Sequence, residues 1–281
     1  MTPRGSTTID TTVEATTGAT PDATISEVYV PDTALAAVER LRTLGEVHVW
    51  WWPLGDRTDP ADHAVLDAVE RGRARRFHAE ADAAAFTATR AGARRAIAGL
   101  LGITPGEVGL GRRICPGCGD PEHGPPSVVR PPVPLAVSLS RTAGIGALAV
   151  RAGDWVGVDV EALRPVDDNL ADVVLTPSER AYVMGRPRGP ERDAAFHRTW
   201  TRKEAVVKAV GLGLLGMELH ALDVRPADPG PVEVVHTYRS ETTRWEVRDL
   251  AVPGPWSVSL ARPLGSALGE VRLHAPAGEG T

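Results

Sequence analysis

One short stretch limits the fold more than any other. Val156, Val158 and Val160 alternate with Gly157, Asp159 and Glu161, the period-two pattern of a strand with one apolar face. Such a strand lays its valines on a core and turns Asp159 and Glu161, two residues apart, to the same opposite side. Carboxylates converging on one spot repel each other. A hard divalent cation with oxygen ligands relieves that, and magnesium is often held by a few carboxylates together with substrate phosphates. The alternative is a solvated face on which Glu161 pairs with Arg164.

A second constraint lies downstream. The segment from about Glu191 to Val210 reads as a helix ended at Gly211, with Gly213 beyond, as glycine-terminated helices are. Phe196, Trp200, Glu204 and Lys208 fall at i, i+4, i+8 and i+12 on one face. Two aromatics belong against a core, yet the row runs on into a glutamate and a lysine. A helical Glu–Lys pair accounts for this at roughly a few tenths of a kcal/mol. It does not account for the choice of base: of 31 basic residues only Lys203 and Lys208 are lysines, both on this helix. Lysine is a compact point charge and arginine a planar fork, a difference that matters where one charge must meet a phosphate oxygen.

Charge and composition remove several classes. A net charge of -5 argues against a general polyanion binder, so no nucleic-acid partner is expected. No run of about eighteen apolar residues is present, so no membrane span is expected. With 42% hydrophobic and 24% charged residues the chain reads as globular, one large domain or two small ones. Cys115 and Cys118 form one Cys-x-x-Cys rather than a disulfide framework, and the N-terminus lacks an apolar signal core, so a reducing cytoplasm is expected. With His123 the pair offers three ligands where structural zinc uses four. A metal or redox motif stands there against incidental thiols in a Gly/Pro loop.

Residues 1–26, rich in Thr, Ala and Ser, predict a disordered tail, and 274–281 a second, flexible one. Between them the chain divides into 27–152 and 153–273. The first half predicts a strand over 46–53 with Trp50, Trp51 and Trp52, helices over about 60–77 and 80–101, a long loop over 111–134, and strands at 135–140 and 145–151. Arg73, Arg75, Arg76, Arg90, Arg94 and Arg95 read as a solvated helix face or as an anion-binding rim. In the second half Thr176-Pro177-Ser178-Glu179 is a capping box with proline at the first helical position. Strands are predicted at 223–226, 231–238, 243–250 and 255–263. The fold class is α+β: two similar α/β subdomains related by a pseudo-two-fold axis.

Gly157–Glu161 (GVDVE), Trp200–Ala209 (WTRKEAVVKA) and Gly211–Leu214 (GLGL), with Leu175–Glu179 (LTPSE) between them, resemble the signature of the 4'-phosphopantetheinyl transferases. The block spacing and two-half layout resemble the surfactin-synthetase-activating, monomeric type over about residues 46–262. In the first half Arg73–Asp82 resembles the family's basic, aromatic segment for the coenzyme A nucleotide. His123-Gly124-Pro125-Pro126 resembles an HGKP-like loop without its lysine, for which Arg130 is a candidate substitute. Ser138–Thr142 matches an Asn-x-Ser-His-Ser block, with Arg141 at the histidine.

The resemblance implies transfer of phosphopantetheine from coenzyme A to a serine of an apo acyl or peptidyl carrier protein of polyketide, fatty-acid or nonribosomal peptide synthesis, with release of adenosine 3',5'-bisphosphate. It implies Asp159, Glu161 and Glu204 as ligands of magnesium, with manganese as an alternative. It further implies Glu204 as the general base, directly or through a metal-bound water, and Lys208 as the charge that neutralises phosphate. Lys203 is expected to contact phosphate from the side, and Arg73, Arg76, Thr89, Ser140 and Arg141 to hold the nucleotide end. A non-catalytic coenzyme A or carrier-protein binding module is the alternative. A metal-dependent nuclease or phosphatase lacks a histidine or Ser/Cys nucleophile near this acidic trio.

Overall fold

The computed structural model describes residues 30–213, 216–265 and 268–276; the N-terminal tail, Leu214 and residues 277–281 lie outside these. Helix α1 (Asp32–Leu44) leads into β1 (Val47–Pro53), followed by α2 (Pro60–Val65), α3 (Ala68–Ala74) and the long α4 (Glu80–Leu101). Strands β2 (Gly109–Arg112), β3 (Pro126–Arg130), β4 (Leu135–Thr142) and β5 (Ile145–Ala152) complete the first half. The second contains β6 (Gly157–Ala162), α5 (Asp168–Val174), α6 (Pro177–Met184), α7 (Pro190–Val210), β7 (Val232–Tyr238), β8 (Glu241–Asp249), β9 (Trp256–Pro263) and β10 (Val271–His274). No helix among the described residues is long and apolar enough to cross a membrane.

The result is α+β with two sheets, six strands in the order β10-β1-β5-β4-β3-β2 and four in the order β6-β9-β8-β7. One face of the larger sheet packs on α1 and α4 through Val38, Leu41, Ile97, Leu101, Leu148 and Val150. Its other face meets the smaller sheet: Val47, Val49, Ile145 and Ala147 pack on Val156, Val158, Val160 and Leu260. Helix α7 covers the far side of the smaller sheet, where Ala205, Val206 and Val207 meet Trp245, Val247 and Ala261. The valines of β6 therefore look into the seam and its two acids look toward α7.

Several expectations are corrected. The helix over 60–77 is two helices, because Asp67 starts a new capping box with Glu70. The 111–134 loop contains β3 and the end of β2, and 223–226 is not a strand. Strand β10 pairs parallel with β1, so the chain returns to the first sheet and His274 is held rather than trailing in a tail. The arginine face is partly buried: Arg94, 1% exposed, donates to Glu70 and Asp67, and Arg90 to Glu70.

Beyond β6 its own sheet offers no partner on that edge. Side chains of β4 take the place of a strand there. Ser138 Oγ accepts from Val158 N at 3.0 Å and Ser140 Oγ from Val160 N at 3.3 Å. Val158 and Val160 are buried, and buried edge N–H groups need such partners.

Candidate active site

Glycine brings the acidic strand and α7 together. A Cβ on Gly157 would overlap the Ala205 carbonyl oxygen, so only glycine lets β6 lie this close to the helix backbone. The roll of α7 is fixed by the two bases preceding Glu204. Arg202 is fully buried and forks onto Asp249 with two 2.8 Å bonds while donating to the Val224 and Arg225 carbonyls. Lys203, 0% exposed, pairs with Glu179 at 2.7 Å and donates to the carbonyls of Leu219 and Leu222. These contacts occupy all three N–H donors of its ammonium. The phosphate contact expected of Lys203 is thereby overturned: it is a core anchor for α6 and α7.

With α7 so rolled, Glu204 and Lys208 face β6 and β4. Lys208 Nζ lies 2.6 Å from Asp159 Oδ1 and 2.7 Å from Ser140 Oγ, and Ser140 donates its own proton to Asp159 Oδ1 at 2.9 Å. Ser140 is thus committed to the seam and to Lys208, which accounts for every bond its hydroxyl readily makes. Glu161 accepts from Trp200 Nε1 at 3.3 Å and from Thr142 Oγ1 at 3.5 Å.

The three carboxylates form an anionic cluster that Lys208 relieves only in part. Asp159 Oδ2 and Glu204 Oε1 are buried with no hydrogen-bond partner. Burial, then the Asp159 charge, pushes the Glu204 carboxyl up to about 7, with Lys208 pulling the other way and Glu161 adding to the rise. Burial and Asp159 also raise Glu161, against the Trp200 bond. Among the described residues no group of three or more His, Cys, Asp or Glu is gathered as a ready-made metal cage. The fit of a hard cation rests on the donor set: oxygens only, two of them buried and unpartnered. Magnesium commonly takes one or two carboxylates and draws its other ligands from water and substrate phosphates.

A pocket of about 220 Å³ opens beside Glu204 and Lys208, lined also by Arg112, His123, Pro125 and Leu139. A larger concavity of about 460 Å³, near Leu163–Val166 and Arg188–Asp193, contains none of the acidic groups. Neither motif nor composition singled out Arg112; its signal is three-dimensional, the pairing of β2 with β3 that sets Arg112 opposite Pro126.

The other expected contacts separate into two groups. Arg73 and Arg141 come together over one aromatic pair: Arg73 sits 5.4 Å from the Phe86 ring centre, and Arg141 6.0 and 5.9 Å from Phe77 and Phe86. Burial and the neighbouring Arg73 charge lower the Arg141 pKa. Two like charges held together favour an anion between them. Arg76 is exposed just beyond α3. Thr89 departs from expectation: it is buried in α4 and donates to the Ala85 carbonyl at 2.7 Å. Arg130 does too, donating to the Glu107 and Gly106 carbonyls away from the pocket lining. Cys115 and Cys118 are free thiols, with Cys118 Sγ 3.6 Å from His123 Nδ1.

Comparison with known proteins points to one family. Residues 155–261 match the model of the 4'-phosphopantetheinyl transferase superfamily. The 4'-phosphopantetheinyl transferase HetI of Nostoc sp. is 31% identical over 196 residues, covering 67% of this chain and 78% of its own. AcpT of Salmonella typhimurium, a protein of the same name, is 41% identical over 80 residues, 28% of this chain and 41% of its own. The 4'-phosphopantetheinyl transferase ffp of Bacillus subtilis is 26% identical over 113 residues, 40% and 49% of the two chains.

Proposed function

The chain belongs to the 4'-phosphopantetheinyl transferases, and from that premise we propose how its residues work. It transfers the 4'-phosphopantetheine group of coenzyme A to a serine of an apo acyl or peptidyl carrier protein. The serine Oγ–P bond forms, the P–O bond to adenosine 3',5'-bisphosphate breaks with its electron pair leaving on that product, and the serine proton is taken up. Glu204 is the acceptor: its Oε1 is unpartnered beside the pocket, where a carrier hydroxyl can hand its proton to a carboxylate.

Lys208 holds Asp159 on one side and keeps a third N–H for a phosphate oxygen on the pocket side. Asp159, Glu161 and Glu204 would hold magnesium, which when bound supplies charge neutralisation to the diphosphate. Arg73 and Arg141 grip the nucleotide end, with Arg76 at the rim. We read the two sheets, each backed by one long helix, as the halves of a pseudo-two-fold pair. Action as a monomer in the cytoplasm, on carriers of secondary metabolism, belongs to the same reading.

The observation that carries this proposal is the pairing of an unpartnered, proton-accepting Glu204 with Lys208 in one pocket. Incubation with coenzyme A, magnesium and a panel of apo carriers tests it: the carrier serine gains one phosphopantetheine by mass. Tight coenzyme A binding without transfer to any carrier instead assigns a binding module.

A further inference from the structure

Charge bookkeeping in the pocket leaves one cation without a role. Of the bases on or next to this pocket, Lys203 is spent in the core, and Lys208 gives two of its three donors to Asp159 and Ser140. His123 has a neighbour at each ring nitrogen, Cys118 Sγ at Nδ1 and, 3.7 Å from Nε2, Asp120. Arg112 lines the same pocket, is exposed, and pairs with no carboxylate among the described residues.

Its side chain is nonetheless held. Nη1 donates to the Gly124 carbonyl at 2.8 Å, and that carbonyl is itself fixed. A Cβ on Gly124 would overlap the Arg113 carbonyl, and Arg113 N donates to Pro125 O at 2.9 Å. The guanidinium is therefore anchored by one edge, leaving its remaining N–H groups for a ligand. An anchored fork loses little further freedom on binding and suits phosphate oxygens in pairs.

We propose that Arg112 grips the diphosphate of coenzyme A, from the pocket that Lys208 also lines. This rests on the transferase reading above. It adds a binding residue outside every motif of the sequence, and it divides the substrate's anionic groups between two places. The diphosphate falls to Arg112 and Lys208; the ribose 3'-phosphate falls to Arg73 and Arg141.

The test compares wild type, Arg112→Ala, Arg112→Gln and Arg112→Lys by calorimetry with coenzyme A and with dephospho-coenzyme A, which lacks the 3'-phosphate. Steady-state transfer to an apo carrier is measured alongside. Charge-assisted hydrogen bonds of this kind predict that the Ala and Gln variants bind both ligands about ten- to a hundredfold more weakly. KM for coenzyme A should rise with kcat changed much less, and Lys should recover part of the affinity. Unchanged binding in the Ala and Gln variants overturns the proposal while an active wild type preserves the transferase reading. A loss confined to coenzyme A overturns the diphosphate assignment and gives Arg112 to the 3'-phosphate. A wild type that neither binds coenzyme A nor transfers it removes the function itself.

Discussion

Lys203→Met separates an anchor from a ligand contact. Lys203 and Glu179 are both 0% exposed. Glu179 also accepts from Thr176 N at 2.8 Å and Val224 N at 2.9 Å, closing the cap of α6. Replacing the ammonium with a thioether leaves a buried carboxylate without its counter-charge and two carbonyls, Leu219 and Leu222, without their donor. Breaking one side of a buried pair costs about 3–5 kcal/mol, and at roughly 2–4 °C per kcal/mol for a chain of this order the Tm should fall by roughly 6–20 °C. Thermal denaturation followed by circular dichroism measures that. Coenzyme A affinity, taken well below the new midpoint, should stay within about threefold of wild type, a difference of well under 1 kcal/mol. Adding Glu179→Gln to the variant should restore part of the loss, since it removes the uncompensated charge and keeps an amide oxygen for one of the two N–H groups that Glu179 serves. A Lys203→Met protein with its Tm intact and its coenzyme A affinity gone would refute the reasoning and return Lys203 to the substrate.

Glu204→Gln should lower transfer by about 10²–10⁴-fold, the range of general-base catalysis, while the Tm holds or rises because a buried, repelled carboxylate is removed; carrier mass shift and melting curves report the two. Lys208→Arg should also cost a large part of the rate with little change in stability, since the ammonium fits between Ser140 and Asp159 at 2.7 and 2.6 Å where a planar fork does not; single-turnover transfer reads this. At the sheet edge His48 Nδ1 faces His274 Nε2 at 3.0 Å, and burial lowers both pKa values, although Glu46 pulls His48 back up. Groups depressed in the fold leave the unfolded chain binding more protons, so this contribution is whole above about pH 6.5 and is lost as pH falls below it. The Tm should therefore drop between pH 7 and pH 5.5, and less steeply in His48→Gln.

What the chain discloses in one dimension is mostly local. The capping box at Thr176 and Glu179 forms as read, and α7 ends at Gly211 in the left-handed region, because caps depend on neighbours a few residues away. A strand period and a helix period each declare a face, but only the family resemblance brought Glu204 to Asp159, whose charge acts on it in the fold. Lys203 was misread for a physical reason: α7 is buried on more than one side, and no periodicity tells a core-facing ammonium from one facing a ligand when its partner, Glu179, arrives from another helix. The same holds for Arg94, whose acids come from α3. Strands β2 and β3 are short and rich in glycine or proline, and β10 pairs with a strand more than two hundred positions earlier. Such pairings leave no local trace.

The serine contacts along β6 make a two-point ruler. Ser138 and Ser140 meet Val158 and Val160 two residues apart on each strand, so the halves engage like teeth of equal pitch. A slip by one residue would offer Leu139 to a backbone N–H and turn both hydroxyls away. Lys208 and Asp159 would lose Ser140 in the same movement. The alignment of the two halves and the assembly of the acidic cluster are thus a single event: neither half can be tuned by sliding, and a chain misaligned at the seam has no partial version of the site.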